Sequence, residues 1–436
     1  MSPRTTAALL APAAALLVPA LACGGSRGGG AAAPGAPATA APAPASAVTP
    51  TAAPDPGAAP GSRPPHAGGV DDRAGPMGVG APLAPLTPPA PRVWLTPAAV
   101  SWPTDRRPAQ FHALGGGAVL SAAVAVSADG STPVGVARPA GGHDEAVRWR
   151  DGRLEPLGTL DLPGLDRSFP RAVSRDGRVV VGESTATEAS AVAVVWRDGG
   201  APERLPLPPG VDAAVAVAVS RDGSIIAGCV TGACDQVVRW QRGAVAAVAT
   251  PRPFHLAAHA MSDDGKVLAG NGGEPLTAAR VTARGVEPLG ADGRVEGLSD
   301  DGTIAVGHVG DRAALWRRGK LTDLGVVPGY DLCVARAVSA DGGRVVGTCV
   351  RRSTWVPVAD EPRPPPDEPR ASVAFVWDRR HGMRPVADAL AAAGVTLPAG
   401  WWLDEAFDIC AYGLTIVGDG HSPTAAREAW LAIVPR

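Results

Sequence analysis

The chain has 436 residues, with 40 Lys+Arg against 42 Asp+Glu and a formal net charge of −2. Its 55 Gly and 46 Pro are too much punctuation for a helical protein, and they follow no collagen period. Near-zero charge without a Lys/Arg block argues against nucleic acid and against a polybasic membrane patch. Aromatics are scarce, but 11 of them are Trp against 5 Phe and 2 Tyr, so the aromatic core runs on one residue type.

Residues 1–22 read as an export leader. Arg4 supplies the positive start, and Ala7 to Leu21 is almost wholly apolar. At about 15 residues this run is too short for a spanning helix, which needs about 20. It ends Ala20-Leu21-Ala22-Cys23, small residues before a cleavage point. The segment resembles a bacterial lipoprotein signal, although Ala20 stands where that family usually carries Leu. The resemblance implies a mature chain that begins at a lipid-modified Cys23. Gly24, rather than an acidic residue, then implies sorting to an outer membrane or cell surface. Ordinary secretion with a free thiol at Cys23 is the alternative.

Residues 23–92 read as a tether. From Gly24 to Arg92 there are 19 Ala, 16 Pro and 13 Gly, and no Phe, Trp or Tyr. Such a segment cannot bury enough apolar surface to offset its ordering entropy. Its expected reach lies between about 50 Å as a coil and about 200 Å fully extended.

Residues 93–436 carry a repeat. Six copies read Ser-x-Asp-Gly with a further Gly eight residues after the Ser. They are Ser127/Asp129/Gly130, Ser174/Asp176/Gly177, Ser220/Asp222/Gly223, Ser262/Asp264/Gly265, Ser299/Asp301/Gly302 and Ser339/Asp341/Gly342. A seventh is degenerate, with Cys410, Tyr412 and Gly413, and Gly418 in phase. A small-apolar run precedes each turn and a β-branched run follows it. An apolar strand ending in Trp comes next: Trp149, Trp196, Trp240, Trp316, Trp377 and Trp430, with Val281 in the fourth copy. A short Leu-bearing strand closes most units. Asp-Gly between β-branched runs signals a hairpin, because Gly accepts the positive φ of a tight turn. Ser and Asp side chains specify the turn further by bonding its amides.

Four short strands per repeat, arranged radially, make an all-β, seven-bladed β-propeller. Each Trp is expected to pack against a neighbouring blade. An open β-solenoid is the competing architecture. The last unit stops at its third strand, and an orphan strand at Gln110–Leu114 precedes the first unit, so the two ends should share one blade. Residues 351–370 form an insertion with Trp355 among its Pro residues, a possible binding loop.

The units resemble the HAF-type bacterial extracellular repeats. The matching phrases are Arg171-Ala-Val-Ser-Arg-Asp-Gly-Arg-Val-Val-Val-Gly182, Ser372-Val-Ala-Phe-Val-Trp377 and Glu155-Pro-Leu-Gly158. The C-terminal match runs from Val386-Ala-Asp-Ala-Leu390 through Gly400-Trp-Trp-Leu403 to Glu428-Ala-Trp-Leu431. The family's eponymous His is absent at the strand starts, and Phe survives only at Phe375. The resemblance implies export and a propeller-like fold, and it brings no catalytic residue. The turns are also similar to the Ser-Pro-Asp-Gly repeats of periplasmic interaction propellers. A sialidase-type Asp box would need one more residue between Asp and Gly.

No Gly-x-x-x-x-Gly-Lys loop, Gly-x-Ser-x-Gly elbow or His-Glu-x-x-His helix occurs. Neither a metal site nor a cofactor is expected. Asp263-Asp264 and Asp300-Asp301 read as turn residues, and His259 as a satisfied core histidine. The first functional reading is a monomeric, lipid-anchored binding or scaffold module that takes an envelope protein or glycan. It would touch the membrane only through its anchor. An exported propeller hydrolase or lyase acting on a glycan is the alternative.

Export would place five further cysteines where disulfides persist. Cys333 and Cys349 fall almost opposite each other across the Ser339 hairpin, a separation that a disulfide spans. Cys229 and Cys234 could staple a shorter loop. Cys410 has no phased partner and reads as a buried thiol, with an intermolecular bridge as the alternative.

Overall fold

The computed structural model describes residues 108–186, 191–230, 236–248, 256–273, 277–351 and 370–436. The leader, the tether, Cys23, Cys234 and Trp355 lie outside the described residues. The described strands form seven four-stranded antiparallel sheets. Six are continuous meanders. The seventh takes Gln110–Ala113 as its outer strand beside the last three strands of the chain, with Ala113 opposite Trp430. The sheets are the blades of a β-propeller, and the first and last strands close the ring.

The innermost strands, blades 1 to 7, are Leu120–Val126, Arg167–Val173, Ala214–Val219, Leu256–Met261, Gly293–Leu298, Leu332–Val338 and Trp402–Ile409. The six Ser-x-Asp-Gly phrases join them to the second strands. In blade 2 the Ser174 hydroxyl donates to Asp176 at 2.7 Å and accepts the Val179 amide at 2.9 Å. The Gly177 amide donates to the Ser174 carbonyl at 2.9 Å, at a φ of 73° that favours glycine. The degenerate turn keeps this shape with a thiol in place of the hydroxyl. The Thr415 amide reaches Cys410 Sγ at 3.2 Å, and the Gly413 amide reaches the Cys410 carbonyl at 2.8 Å.

The turn glycines have a second role beside the conformational one that their sequence implies. Gly130, Gly177, Gly223, Gly265, Gly302 and Gly342 are all buried rather than open to solvent at a hairpin end. Each abuts a side chain at or next to the start of the preceding blade's second strand. A Cβ on Gly130 would collide with Thr415, one on Gly177 with Thr132 and one on Gly223 with Val179. The same holds for Gly265 against Ile225, Gly302 against Val267 and Gly342 against Ile304. The turn glycines are therefore packing residues between blades as well as turn formers, which is why they hold the same place in every copy.

The Gly eight residues after each Ser answers to a bulge. Each innermost strand carries an extra residue three positions before its Ser, where the register slips, as between Pro170 and Ala172. A Cβ on Gly182 would collide with the Phe169 carbonyl, and one on Gly347 with the Val334 carbonyl. Only glycine lets the second strand pass so close to the innermost strand.

Each Trp packs toward the preceding blade. Trp196 sits with Ala125, Val134 and Leu157 of blade 1, and Trp240 with Val179, Val195 and Leu205 of blade 2. Trp149 meets Val417 and Leu431 of blade 7, across the closure. Trp149, Trp196, Trp240, Trp316 and Trp430 are buried. Trp377 is only half-buried, and Phe375 on the same strand is the fully buried ring.

Cys333 and Cys349 are register partners on blade 6 and are joined by a disulfide. Cys229 is also disulfide-bonded, and Cys410 is a buried free thiol. A short helix, Val386–Ala392, follows the outer strand of blade 6 and buries Val386, Ala389 and Leu390 beside Trp430. The propeller pattern had given no reason to expect a helix there.

Candidate functional site

The two faces of the ring are built differently. The turn face carries the Ser-x-Asp-Gly hairpins. Their x residues are Ala128, Arg175, Arg221, Asp263, Asp300, Ala340 and Ala411, and backbone hydrogen bonds link each to the next except Asp300 to Ala340. The amide of Ala128 donates to the Arg175 carbonyl at 3.1 Å, Arg175 to Arg221 at 3.2 Å, Arg221 to Asp263 at 2.8 Å and Asp263 to Asp300 at 2.8 Å. Ala340 donates to Ala411 and Ala411 to Ala128. At a strand-like spacing of about 4.8 Å, seven such backbones make a collar about 11 Å across. The Arg175 guanidinium reaches over this opening to Asp263 at 2.8 Å and also bonds Asp300. Backbone and ion pairs together narrow the turn-face end of the channel.

The turn carboxylates of Asp222 and Asp341 are held in their ionised form. The amide and hydroxyl of Ser224, and then the Ser220 hydroxyl, bring Asp222 down to about 2. Asp341 also lies at about 2: burial opposes this, but Arg436 and Ser339 outweigh it.

Above the collar runs the ring of bulge residues: Val124, Arg171, Val217, His259, Glu296, Arg336 and Phe407. All but Phe407 are half-exposed, and they sit on innermost strands, so the solvent they meet is that of the channel. Neighbours in the ring touch: the Arg336 guanidinium lies 5.5 Å from the centre of the Phe407 ring. Arg171 bonds Glu183 at 2.6 Å, and Arg336 bonds Glu405 at 3.3 Å. Three consecutive members, His259, Glu296 and Arg336, each keep one buried polar atom without a hydrogen-bond partner. His259 is therefore not the satisfied core histidine that the sequence suggested.

The opposite, loop face carries the connections that vary between repeats. Where blades 6 and 7 meet on it, charge is concentrated. Asp404 accepts the Ser372 hydroxyl at 3.0 Å, the His421 amide at 3.0 Å and His421 Nδ1 at 2.6 Å. The hydrogen bond to Asp404 is the main reason that the His421 pKa is raised. Beside them a buried ion pair joins Arg427 to Asp419. Burial pushes the Asp419 carboxyl upward, against the pull of the Arg427 guanidinium. Arg427 suffers the same burial, but Asp419 and Glu405 raise it further and it stays charged.

Toward blade 6, two more guanidiniums stack on rings. Arg351 lies 5.2 Å from the centre of Tyr330, and Arg370 lies 5.3 Å from the centre of Trp402. The Trp402 indole N–H donates to the Ser372 carbonyl at 2.8 Å, which fixes the ring. Burial raises the Tyr330 hydroxyl pKa, and that hydroxyl lies within the fields of Arg351, Asp404 and Arg370. Arg351 Nε and one Nη of Arg370 are buried without a hydrogen-bond partner.

Of the residues singled out by sequence, the repeated ones fall away from this mouth, whereas the ends of the 351–370 insertion, Arg351 and Arg370, lie at it. The turn Ser, Asp and Gly residues build the collar, and the Trp set packs the blades. Among the described residues no group of three or more His, Cys, Asp or Glu side chains is placed to hold a metal ion. The mouth itself uses Tyr330, Arg351, Arg370, Asp404, Asp419, His421 and Arg427, none of which belongs to a repeated phrase.

No family model and no curated protein matches the chain, so its likeness to extracellular repeats rests on the phrases quoted above. Solved structures do match. A protein described as putative TolB from Agrobacterium tumefaciens is 14% identical over 73% of this chain and 91% of its own, with a TM-score of 0.35. TolB from Acinetobacter baumannii is 13% identical over 67% of this chain and 76% of its own, with a TM-score of 0.38. The blades themselves, rather than these likenesses, define the fold.

Proposed function

We propose that this chain is an exported, lipid-anchored propeller that binds an envelope protein or glycan through its loop face. The observation that carries the reading is the contrast between the two ends of the channel. The turn end is narrowed by the collar and by Arg175, whereas the loop end holds two guanidiniums, Arg351 and Arg370, stacked on Tyr330 and Trp402. Guanidiniums fixed on aromatic rings, with no carboxylate partner among the described residues, make a surface suited to an anionic ligand. Small residues ending in Cys23, and the resemblance to extracellular repeats, support export and anchoring.

The carboxylates at the mouth favour binding over hydrolysis. Asp404 closes on His421, Glu405 on Arg336 and Asp419 on Arg427. A glycosidase needs two carboxyl groups free to face one bond at about 5–9.5 Å. Here each is committed to its own cation.

The test has two parts. Fractionation of cells expressing the wild-type chain and Cys23→Ala should show the first with membranes and the second released. Retention of Cys23→Ala with membranes would refute the anchor. The released full-length Cys23→Ala chain should then capture a component from envelope extract or from a glycan array. Its failure on both would refute the binding reading.

A further inference from the structure

We infer that Arg351 and Arg370, at the junction of blades 6 and 7, form a clamp for one carboxylate of an acidic glycan. This rests on the binding reading above and names the ligand chemistry of that same face. The two guanidiniums leave the ends of adjacent strands, where the Arg351 amide bonds the Ala371 carbonyl at 2.8 Å. Each is held against an aromatic ring, which fixes its orientation before a ligand arrives. Neither has a carboxylate partner among the described residues, unlike Arg336 and Arg427 beside them. Both keep a buried N–H that donates to nothing. The Tyr330 hydroxyl, on the ring that Arg351 covers, is a third donor beside the pair. Planar guanidinium forks match a carboxylate edge-on.

The surroundings select the kind of anion. Asp404 acts on Tyr330 and His421 together with Arg370, so a doubly charged phosphate meets more repulsion there than a singly charged carboxylate. The remaining lone pairs of Asp404 can accept from a hydroxyl beside the anion. A uronic-acid sugar supplies both, one carboxylate and vicinal hydroxyls. A peptide C-terminus supplies the carboxylate with only one neighbouring amide, which makes it the weaker fit.

The probe is trigalacturonate, titrated into the full-length Cys23→Ala chain by calorimetry at low salt. Neutral galactotriose, inorganic phosphate and a short peptide with a free C-terminus are run beside it. Trigalacturonate should bind and galactotriose should not. Arg351→Gln and Arg370→Gln should each weaken binding about tenfold or more with unchanged melting temperature. Arg370→Lys should keep part of the affinity, and Arg178→Gln on the turn face should keep all of it. Unchanged binding in both Gln variants would overturn the clamp. Tighter binding of the peptide would overturn the glycan, and tighter binding of phosphate the choice of a monoanion. If no probe binds while the chain still captures an envelope component, this inference fails and the binding reading stands. If nothing is captured either, both fail.

Discussion

The turn face and the loop face of this propeller obey different rules. On the turn face one phrase is used repeatedly, and its Ser and Asp side chains find partners within their own hairpin. Ser299 donates to Asp301 at 2.7 Å and accepts the Ile304 amide at 3.0 Å, as Ser174 does three blades earlier. On the loop face nothing repeats. Arginines pair, stack or stand unpaired within one small region between blades 6 and 7. A repeated interaction that satisfies itself is suited to holding blades in register, whereas singular and partly unsatisfied groups are suited to meeting something else.

The largest expected break in that contrast is Arg427→Met. It removes the cation from a buried pair and leaves the Asp419 carboxyl uncompensated. A loss of about 3–5 kcal/mol is expected in urea unfolding. Removing both charges, with Asp419→Leu added, should recover much of it. A loss below about 1 kcal/mol for the single change would mean that the pair is solvated.

A second effect appears in pH dependence. The Asp408 carboxylate lies between the innermost strands of blades 7 and 1 and accepts the Val126 and Ile409 amides, both at 2.8 Å. Burial nevertheless pushes its pKa up to about 7. Between the ordinary carboxylate pKa of about 4 and that value, the folded chain holds a proton that the unfolded chain has lost. Its contribution therefore falls as pH rises from about 4 to about 7. The turn carboxylates act in the opposite sense. With Asp222 and Asp341 at about 2, their stabilisation is present above pH about 4 and is lost as pH falls toward 2. Melting temperature against pH should thus decline on both sides. Asp408→Asn should make the decline between pH of about 4 and about 7 shallower, with Asp419 supplying the remainder, and leave the acid limb unchanged. An unchanged upper limb would show that Asp408 is not its source.

A smaller change sharpens the account of the collar. Ser174→Ala leaves the Val179 amide without its hydroxyl acceptor, and a loss of about 1–2 kcal/mol is expected in urea unfolding. Cys410→Ser restores the repeated residue in the one turn that lacks it, and it should change stability by less than about 0.5 kcal/mol. Equal effects at both positions would mean that the turn does not depend on this side chain.

The same contrast explains what could be read from the sequence. The hairpins, the Trp strands and the closing strand at Gln110–Ala113 follow from spacing and residue type, because the physics of a tight turn selects the same residues each time. The second role of the turn glycines was hidden, because the residue that each one abuts belongs to the blade before it and varies from Thr to Val to Ile. The bulge ring uses an equally regular position, three before each Ser, but different chemistry in successive blades: Val124, Arg171, Val217, His259, Glu296, Arg336 and Phe407. Its only trace in sequence is the downstream Gly that makes room for it. The mouth left one trace, the insertion at residues 351–370, whose two ends are Arg351 and Arg370. Tyr330, Arg351, Asp404 and His421 lie well apart in the chain, and only the seam between two blades brings them together. The Val386–Ala392 helix escaped notice because two turns are too short to show a period.

The central claim is that ligands meet the loop face and not the turn face. The most direct measurement compares two charge-matched double variants of the full-length Cys23→Ala chain in binding to envelope extract. Arg351→Gln/Arg370→Gln removes two positive charges at the mouth. Arg178→Gln/Lys266→Gln removes two from exposed ion pairs on the turn face. The loop-face variant is expected to lose most of its binding, and the turn-face variant to match the parent chain. The reverse pattern, loss at the turn face with binding intact at the mouth, would contradict the account.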